Sequence, residues 1–307
     1  MLHETLVRRF GSRIALPVIA APMFGISGVD LVTACCANGV IGSFPTANCR
    51  SLDELDAWLS AIAANLPEGA APVCPNVIMR RPRLAEEIEL LIRHKLEMVI
   101  ASVGSPKPVI EPLHAAGCLV FADVSSLAHA RKAVAAGVDG LVLLTAGAGG
   151  QTGWANPFAF VRAVRRFYEG PVVLAGGIGD AQAIRAARAL GADLAYMGTR
   201  FIATRESMAS EVYKQMLLDS ELDDILLTRA FTGLDSNMLV RSLVAEGLDP
   251  KNLPTDMTSE TADVLYGSGA EGPRRWRDLW SAGHSVSSVR SVPTVAELVA
   301  ELKAGLS

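Results

Sequence analysis

Residues 171–202 read PVVLAGGIGDAQAIRAARALGADLAYMGTRFI. An apolar run, Val172–Leu174, follows Pro171 and leads into Ala175-Gly176-Gly177-Ile178-Gly179. Asp180 stands at a helix N-cap position. Ile184, Ala187, Arg188 and Leu190 continue the helix, and Gly191 fits its left-handed stop. Leu194–Met197 is a second apolar strand, and Gly198-Thr199 turns into another helix. Two glycine turns therefore fall on consecutive strand ends. Glycine lets a ligand approach the backbone closely, and a helix N-terminus adds a positive dipole, so the unit suits a phosphate. In (β/α)8 barrels a phosphate site is characteristically built after strands 7 and 8. The plainer reading is two ordinary βα turns tightened by glycine.

The rest of the chain repeats the unit. Apolar runs at Leu16–Met23, Val40–Phe44, Pro72–Met79, Met98–Val103, Cys118–Asp123 and Leu141–Thr145 alternate with helical stretches. Those stretches are Val29–Ala37, one capped by Ser51, Pro82–His94, Lys107–Ala116, Ser126–Ala136 and Ala155–Phe167. Gly39, Gly117, Gly137 and Gly191 each end a helix just before a strand. Eight alternating units imply parallel pairing and close more naturally into a (β/α)8 TIM barrel than into an open sheet. A doubly wound sheet is the alternative, but the first turn, Ala21-Pro22-Met23-Phe24-Gly25, lacks its glycine fingerprint. After Thr204 the pattern changes. Residues 205–265 read as helical without a strand run, with helices expected at Ser210–Leu218 and Met238–Ala245. Residues 205–284 are expected to form an inserted helical cap or substrate subdomain over a barrel made of 1–204 plus 285–307.

Composition fits a large apolar core. Half of the 307 residues are hydrophobic and the mean hydropathy is +0.31, as a sheet buried on both faces requires. No apolar run approaches the ~18 residues of a membrane span, and the first ten residues lack a signal-peptide apolar region. A net charge of −4 with scattered Lys and Arg gives no footprint for nucleic acid. Five cysteines without metal-site spacing suit reduced, buried thiols in a cytoplasmic protein; no neighbouring His activates one as a nucleophile.

Barrel chemistry gathers at strand C-termini. Here these are Ala21-Pro22-Met23, Asn76, Ser102, Asp123, Thr145–Gly153, Gly176-Gly177 and Gly198-Thr199. The set holds amides, hydroxyls and backbone donors, with no metal cluster, nucleophile–base pair or paired carboxylates. That suits a bound cofactor that the protein orients. A phosphate corner opposite an apolar Pro22-Met23 lip fits a flat ring with a phosphorylated tail, most economically FMN. The glycine-rich stretch from Thr145 to Trp154 makes a loop able to approach that ligand. His114 and His129 fall on helices and read as surface or packing residues, whereas His284 lies in a late loop that could fold over the ring.

Five stretches carry a family likeness: Ala20-Ala21-Pro22-Met23, Asn76, Gly149-Gly150, Ala175-Gly176-Gly177-Ile178 and Met197–Phe201. A sixth, WRDLWSAG at Trp276–Gly283, supports it. Together they make the chain similar, over nearly its whole length, to the nitronate monooxygenase or 2-nitropropane dioxygenase-like flavin oxidoreductases. That family also includes enoyl-thioester reductases and NADH:quinone reductases. The resemblance implies FMN at the barrel mouth. Ala21, Pro22 and Met23 would contact the ring, and Asn76 the ring or ribityl chain. Gly176, Gly177, Gly198 and Thr199 would hold the phosphate, with Asp123, Gly149 and Gly150 also lining the cofactor.

Two positions depart from the family pattern. A His that commonly follows the Gly-Gly pair is here Gln151, and a Lys common at the end of the fifth strand is here Asp123. Imidazole can take a proton, whereas Gln151 can only hydrogen-bond. The implied catalytic set is Gln151, Thr152 and His284, with Gln151 or Thr152 as donors to a developing oxyanion. The expected reaction is redox chemistry at a carbon beside a nitro, carbonyl or thioester group. NAD(P)H or O2 are candidate co-substrates, and a homo-oligomer is left open. The alternatives are an acyl-CoA (enoyl-thioester) reductase or dehydrogenase, an NAD(P)H:quinone reductase and, without flavin, a phosphate-sugar isomerase or lyase.

Overall fold

The computed structural model describes residues 2–267 and 269–306. Eight parallel strands form one sheet: β1 Val18–Ala20, β2 Ile41–Gly42, β3 Asn76–Ile78, β4 Met98–Ser102, β5 Leu119–Val124, β6 Gly140–Leu144, β7 Val172–Ala175 and β8 Leu194–Met197. Their order is β2-β1-β8-β7-β6-β5-β4-β3. Parallel bridges Gly42↔Val73 and Pro45↔Asn76 join the two edges, with N–H donation from Cys74 to Gly42 O and from Asn76 to Phe44 O, each at 2.8 Å. The sheet is thus a closed barrel, as the alternation predicts.

Local chemistry sets the helix boundaries. Ser51, Ser126 and Asp180 each accept an N–H from three residues on, so they cap Leu52–Asn65, Leu127–Ala136 and Ala181–Leu190. Gly137 and Gly191 end their helices in the left-handed region that the sequence anticipates. The last helix, Val295–Leu306, packs against Ala181–Leu190 and Val29–Ala37 and so completes the outer ring.

Alternate strand residues fill the barrel. Ile19, Ile41, Ile100, Phe121, Val142, Val173 and Leu194 belong to one buried cluster. Gly140 is forced by this packing: a Cβ there would lie 2.3 Å from the Phe121 ring. The N-terminal helix Glu4–Phe10 presses Leu6 and Phe10 into the same cluster, together with Ile14. It plugs the barrel beneath the strands.

Residues 205–265 depart from one expectation. Residues 205–265 are not all helical: Ile225–Thr228 pairs antiparallel with Ser236–Leu239, which pairs in turn with Gly150–Gln151. The expected Met238–Ala245 helix is therefore the end of a strand followed by helix Val240–Ala245. A four-residue strand gives little periodicity, and its ribbon is completed by two residues from a distant loop. The helices Glu211–Leu218, capped by Ser210, and Ser259–Tyr266 lie on either side of this ribbon in the chain. No described helix is long and apolar enough to cross a membrane.

Candidate active site

The lip after β1 is held from below. Ala21 N–H donates to Met197 O (2.9 Å), which ties it to β8. Met23 N–H donates to Ser27 Oγ (3.0 Å), and Asn48 Nδ2 donates to Met23 O (3.2 Å) and Ser27 O (2.9 Å). Gly25 N–H donates to Asn48 Oδ1 (2.9 Å). Ser27 and Asn48 thus fix the loop that presents Ala21, Pro22 and Met23. Sequence reasoning passed over both, because a clamp between loops leaves no periodic signal. The lip adjoins the end of β8: a Cβ on Gly198 would stand 3.5 Å from Met23 Sδ and 3.8 Å from Ala21 Cβ.

The paired glycines after β7 differ from each other. Gly176 has φ 119°, and a Cβ there would meet Thr145 Oγ1 at 2.4 Å, so backbone and loop are in contact. Gly177 has φ 72° and open space where a Cβ would be. That empty, left-handed position is what a close-approaching ligand needs. Next to it, helix Thr199–Ile202 begins with N–H groups that have no intrahelical acceptor. Thr199 Oγ1 accepts Gly283 N–H at 2.9 Å and keeps its own proton to donate.

The loop from Thr145 to Gly153 is anchored by Asn237 and His284. Asn237 Nδ2 donates to Ala148 O (2.7 Å), and His284 N–H donates to Gly147 O (2.9 Å). A Cβ on Gly149 would lie 2.8 Å from Gly283 N, and one on Gly150 would lie 3.6 Å from the Trp276 ring. Gln151 is exposed, with its backbone in the ribbon opposite Ser236. Thr152 departs from its expected role as a donor: its hydroxyl donates to Thr145 O (2.7 Å) and its N–H to Asp235 O (3.0 Å). Both donors are spent, one on the loop and one on Asp235, so Thr152 shapes the loop rather than meeting an oxyanion. The His284 ring lies beside Gly147: a Cβ on that glycine would lie 2.9 Å from Nδ1.

Inside the mouth the structure brings together a polar set. Ser102 Oγ donates to Asn76 Oδ1 (2.8 Å), and Asn76 Nδ2 donates to Asp123 Oδ2 (3.2 Å). The first bond fixes the Asn76 amide, so its nitrogen faces the carboxyl. Asp123 Oδ1 and the Tyr196 hydroxyl are both buried, and neither has a hydrogen-bond partner among the described residues. Burial pushes the Asp123 carboxyl up to about 7, with the Asn76 hydrogen bond opposing. Tyr196 rises well above its usual range, through burial first and then the facing Asp123 and Cys74. Tyr196 escaped the sequence reading because it sits in an apolar strand run.

The cysteines are free and buried, and burial pushes the thiols of Cys36, Cys49 and Cys118 up to about 12, which disarms them as nucleophiles. Surface cavities of ≈ 530 Å³ beside Glu246 and Arg274, and of ≈ 400 Å³ beside Arg13 and His94, gather none of the strand-end residues.

Comparison with known proteins supplies independent findings. The nitronate monooxygenase family profile matches residues 63–305. A nitronate monooxygenase of Paraburkholderia phytofirmans is 30% identical, over 94% of this chain and 91% of its own. A (3aS,4S,5R,7aS)-5-hydroxy-7a-methyl-1-oxo-octahydro-1H-indene-4-carboxyl-CoA dehydrogenase of Mycobacterium tuberculosis is 29% identical, over 74% of this chain and 64% of its own. Among solved structures, nitroalkane oxidase from Streptomyces ansochromogenes superposes with a TM-score of 0.79 at 27% identity, covering 98% of this chain and 97% of that one. FabK from Thermotoga maritima shares the fold, with a TM-score of 0.82 at 24% identity, covering 100% and 96%. With most of its length matched by the profile and a relative aligned nearly end to end, the chain belongs to the nitronate monooxygenase family and is an oxidoreductase.

Proposed function

We propose that the protein is an FMN-dependent oxidoreductase acting at a carbon acidified by a neighbouring nitro or thioester carbonyl group. The observation that carries this reading is the corner formed by Gly176, Gly177, Gly198 and Thr199. There an open left-handed glycine and unpaired helix-start N–H groups adjoin the Ala21–Met23 lip. A phosphate fits the corner and a planar ring fits against the lip. Bound FMN supplies a centre that takes a hydride or electrons from the activated carbon.

The chain's own residues do the rest. The lip, clamped by Ser27 and Asn48, sets the plane of the ring. Asn76 and Asp123 face it from within the barrel. The loop from Thr145 to Gly153, tied down by Asn237, carries Gln151, whose amide is free to orient a substrate oxygen. His284 lies at the same loop and could add a donor from the cap side. The cap, taken as residues 205–284, would cover the substrate and exclude water.

Two substrate classes fit the activated carbon. The family and the Paraburkholderia relative favour a nitronate. Gln151 and Asp123 put no cation for that anion at the two positions where the family commonly carries His and Lys, and this favours an acyl-CoA thioester; the mycobacterial relative is named as a CoA dehydrogenase. Anaerobic bleaching of the bound flavin by NADH, NADPH, alkyl nitronates and acyl-CoA thioesters tests the reading and separates the classes. A purified protein that neither carries nor takes up flavin would overturn it.

A further inference from the structure

Of the five buried side-chain polar atoms without a hydrogen-bond partner among the described residues, two share the barrel interior: Asp123 Oδ1 on β5 and the Tyr196 hydroxyl on β8; the others belong to Thr33, Arg81 and Arg200. Leaving such atoms unmet is unfavourable, so their arrangement asks for a ligand. They belong to the top interior layer of the barrel with Asn76 and Ser102, facing the mouth, while the layer beneath is apolar. The relay from Ser102 through Asn76 occupies Oδ2 and leaves Oδ1 without a partner among the described residues.

From this geometry we infer that Asp123 and Tyr196 form a neutral, hydrogen-donating floor for the polar edge of the flavin ring, with Asp123 giving the Oδ1 proton to a ring carbonyl. The inference rests on the FMN reading and adds a pH control to it. Only the protonated carboxyl can donate through Oδ1; the carboxylate would turn a lone pair on the carbonyl and repel it. Cofactor affinity is therefore linked to this one proton, falling as the carboxyl ionises in the neutral range where burial has placed it. His284 stands at the mouth beside Gly147, and inside the barrel the ionisable groups facing Asp123 are Tyr196 and the Cys74 thiol. Both are held far above neutrality by burial, and Asn76 and Ser102 carry no charge. Among these interior groups Asp123 is the one left to titrate there.

The experiment is FMN binding by the cofactor-stripped protein, followed by flavin fluorescence from about pH 5.5 to 8.5. Riboflavin runs in parallel, because it lacks the phosphate whose second ionisation near pH 6 would also alter binding. The wild type is expected to lose affinity for both ligands above about pH 7, approaching tenfold per pH unit. Asp123→Asn keeps an N–H donor in place of the O–H, so it should bind at all these pH values with no such loss. Tyr196→Phe should weaken binding several-fold and leave the pH profile intact. Visible absorbance of the bound flavin should shift over the same pH range in wild type and stay constant in Asp123→Asn. Binding that strengthens with pH, or a wild-type profile matched by Asp123→Asn, overturns the inference and leaves the FMN reading standing. A wild-type protein that binds neither flavin at any pH overturns both.

Discussion

Gly177 and Gln151 show how far single residues carry the functional reading. Gly177 combines φ 72° with open space, so Gly177→Asp would add about 1–2 kcal/mol of backbone strain and set a carboxylate where a phosphate is proposed. The expected result is a loss of FMN retention of more than about tenfold, read as flavin absorbance per protein after gel filtration. Full occupancy in the variant would remove the corner from the proposal. Gln151→Ala should keep FMN and lower kcat/KM by about 10–100-fold, since one orienting hydrogen bond is lost while the fold is not. Unchanged kinetics on the true substrate would exclude Gln151 from the chemistry. The glycines were legible because their backbone requirement is written in the residue type itself. Tyr196, Ser27 and Asn48 were not, because their importance comes from partners that only the closed barrel brings near.

At the level of elements, the barrel was readable and the ribbon was not. Eight strand–helix units, with Ser51, Ser126 and Asp180 as caps and Gly137 and Gly191 as stops, announce themselves locally. The ribbon depends on long-range pairing: Gly150–Gln151 meets Ser236–Asn237 across 85 residues of chain that include two barrel strands. Local pattern carries no trace of such a meeting. The Asn237 bond to Ala148 O is the buried joint between ribbon and loop. Asn237→Ala should cost about 1–3 kcal/mol and speed amide exchange through the loop from Ala146 to Thr152, measured by denaturation and hydrogen–deuterium exchange. Exchange confined to Asn237's own strand would mean that the loop holds its shape without the cap.

For the whole molecule, the Asp123 carboxyl makes stability depend on pH. Its folded pKa lies above the usual 3.8, at about 7, so folding favours the protonated form. The resulting penalty is absent below the unfolded value, grows between the two and is complete above about 7. Asp123→Asn should therefore stabilise the cofactor-free protein at pH 8 by on the order of 2–4 kcal/mol, and the gain should shrink as pH falls toward 4. Urea denaturation at several pH values measures this, and a pH-independent difference would show that the carboxyl is already solvated in the empty protein.

The helix Glu4–Phe10, with Leu6 and Phe10 pressed against the barrel interior, turns the cylinder into a vessel stoppered at one end. Water and hydronium can then reach Asp123 only through the opening that the flavin itself would cover. Occupation of that opening should slow, without abolishing, the passage of protons between the carboxyl and solvent. Protein lacking residues 2–10 should exchange that proton with solvent freely through the unstoppered base, even when loaded.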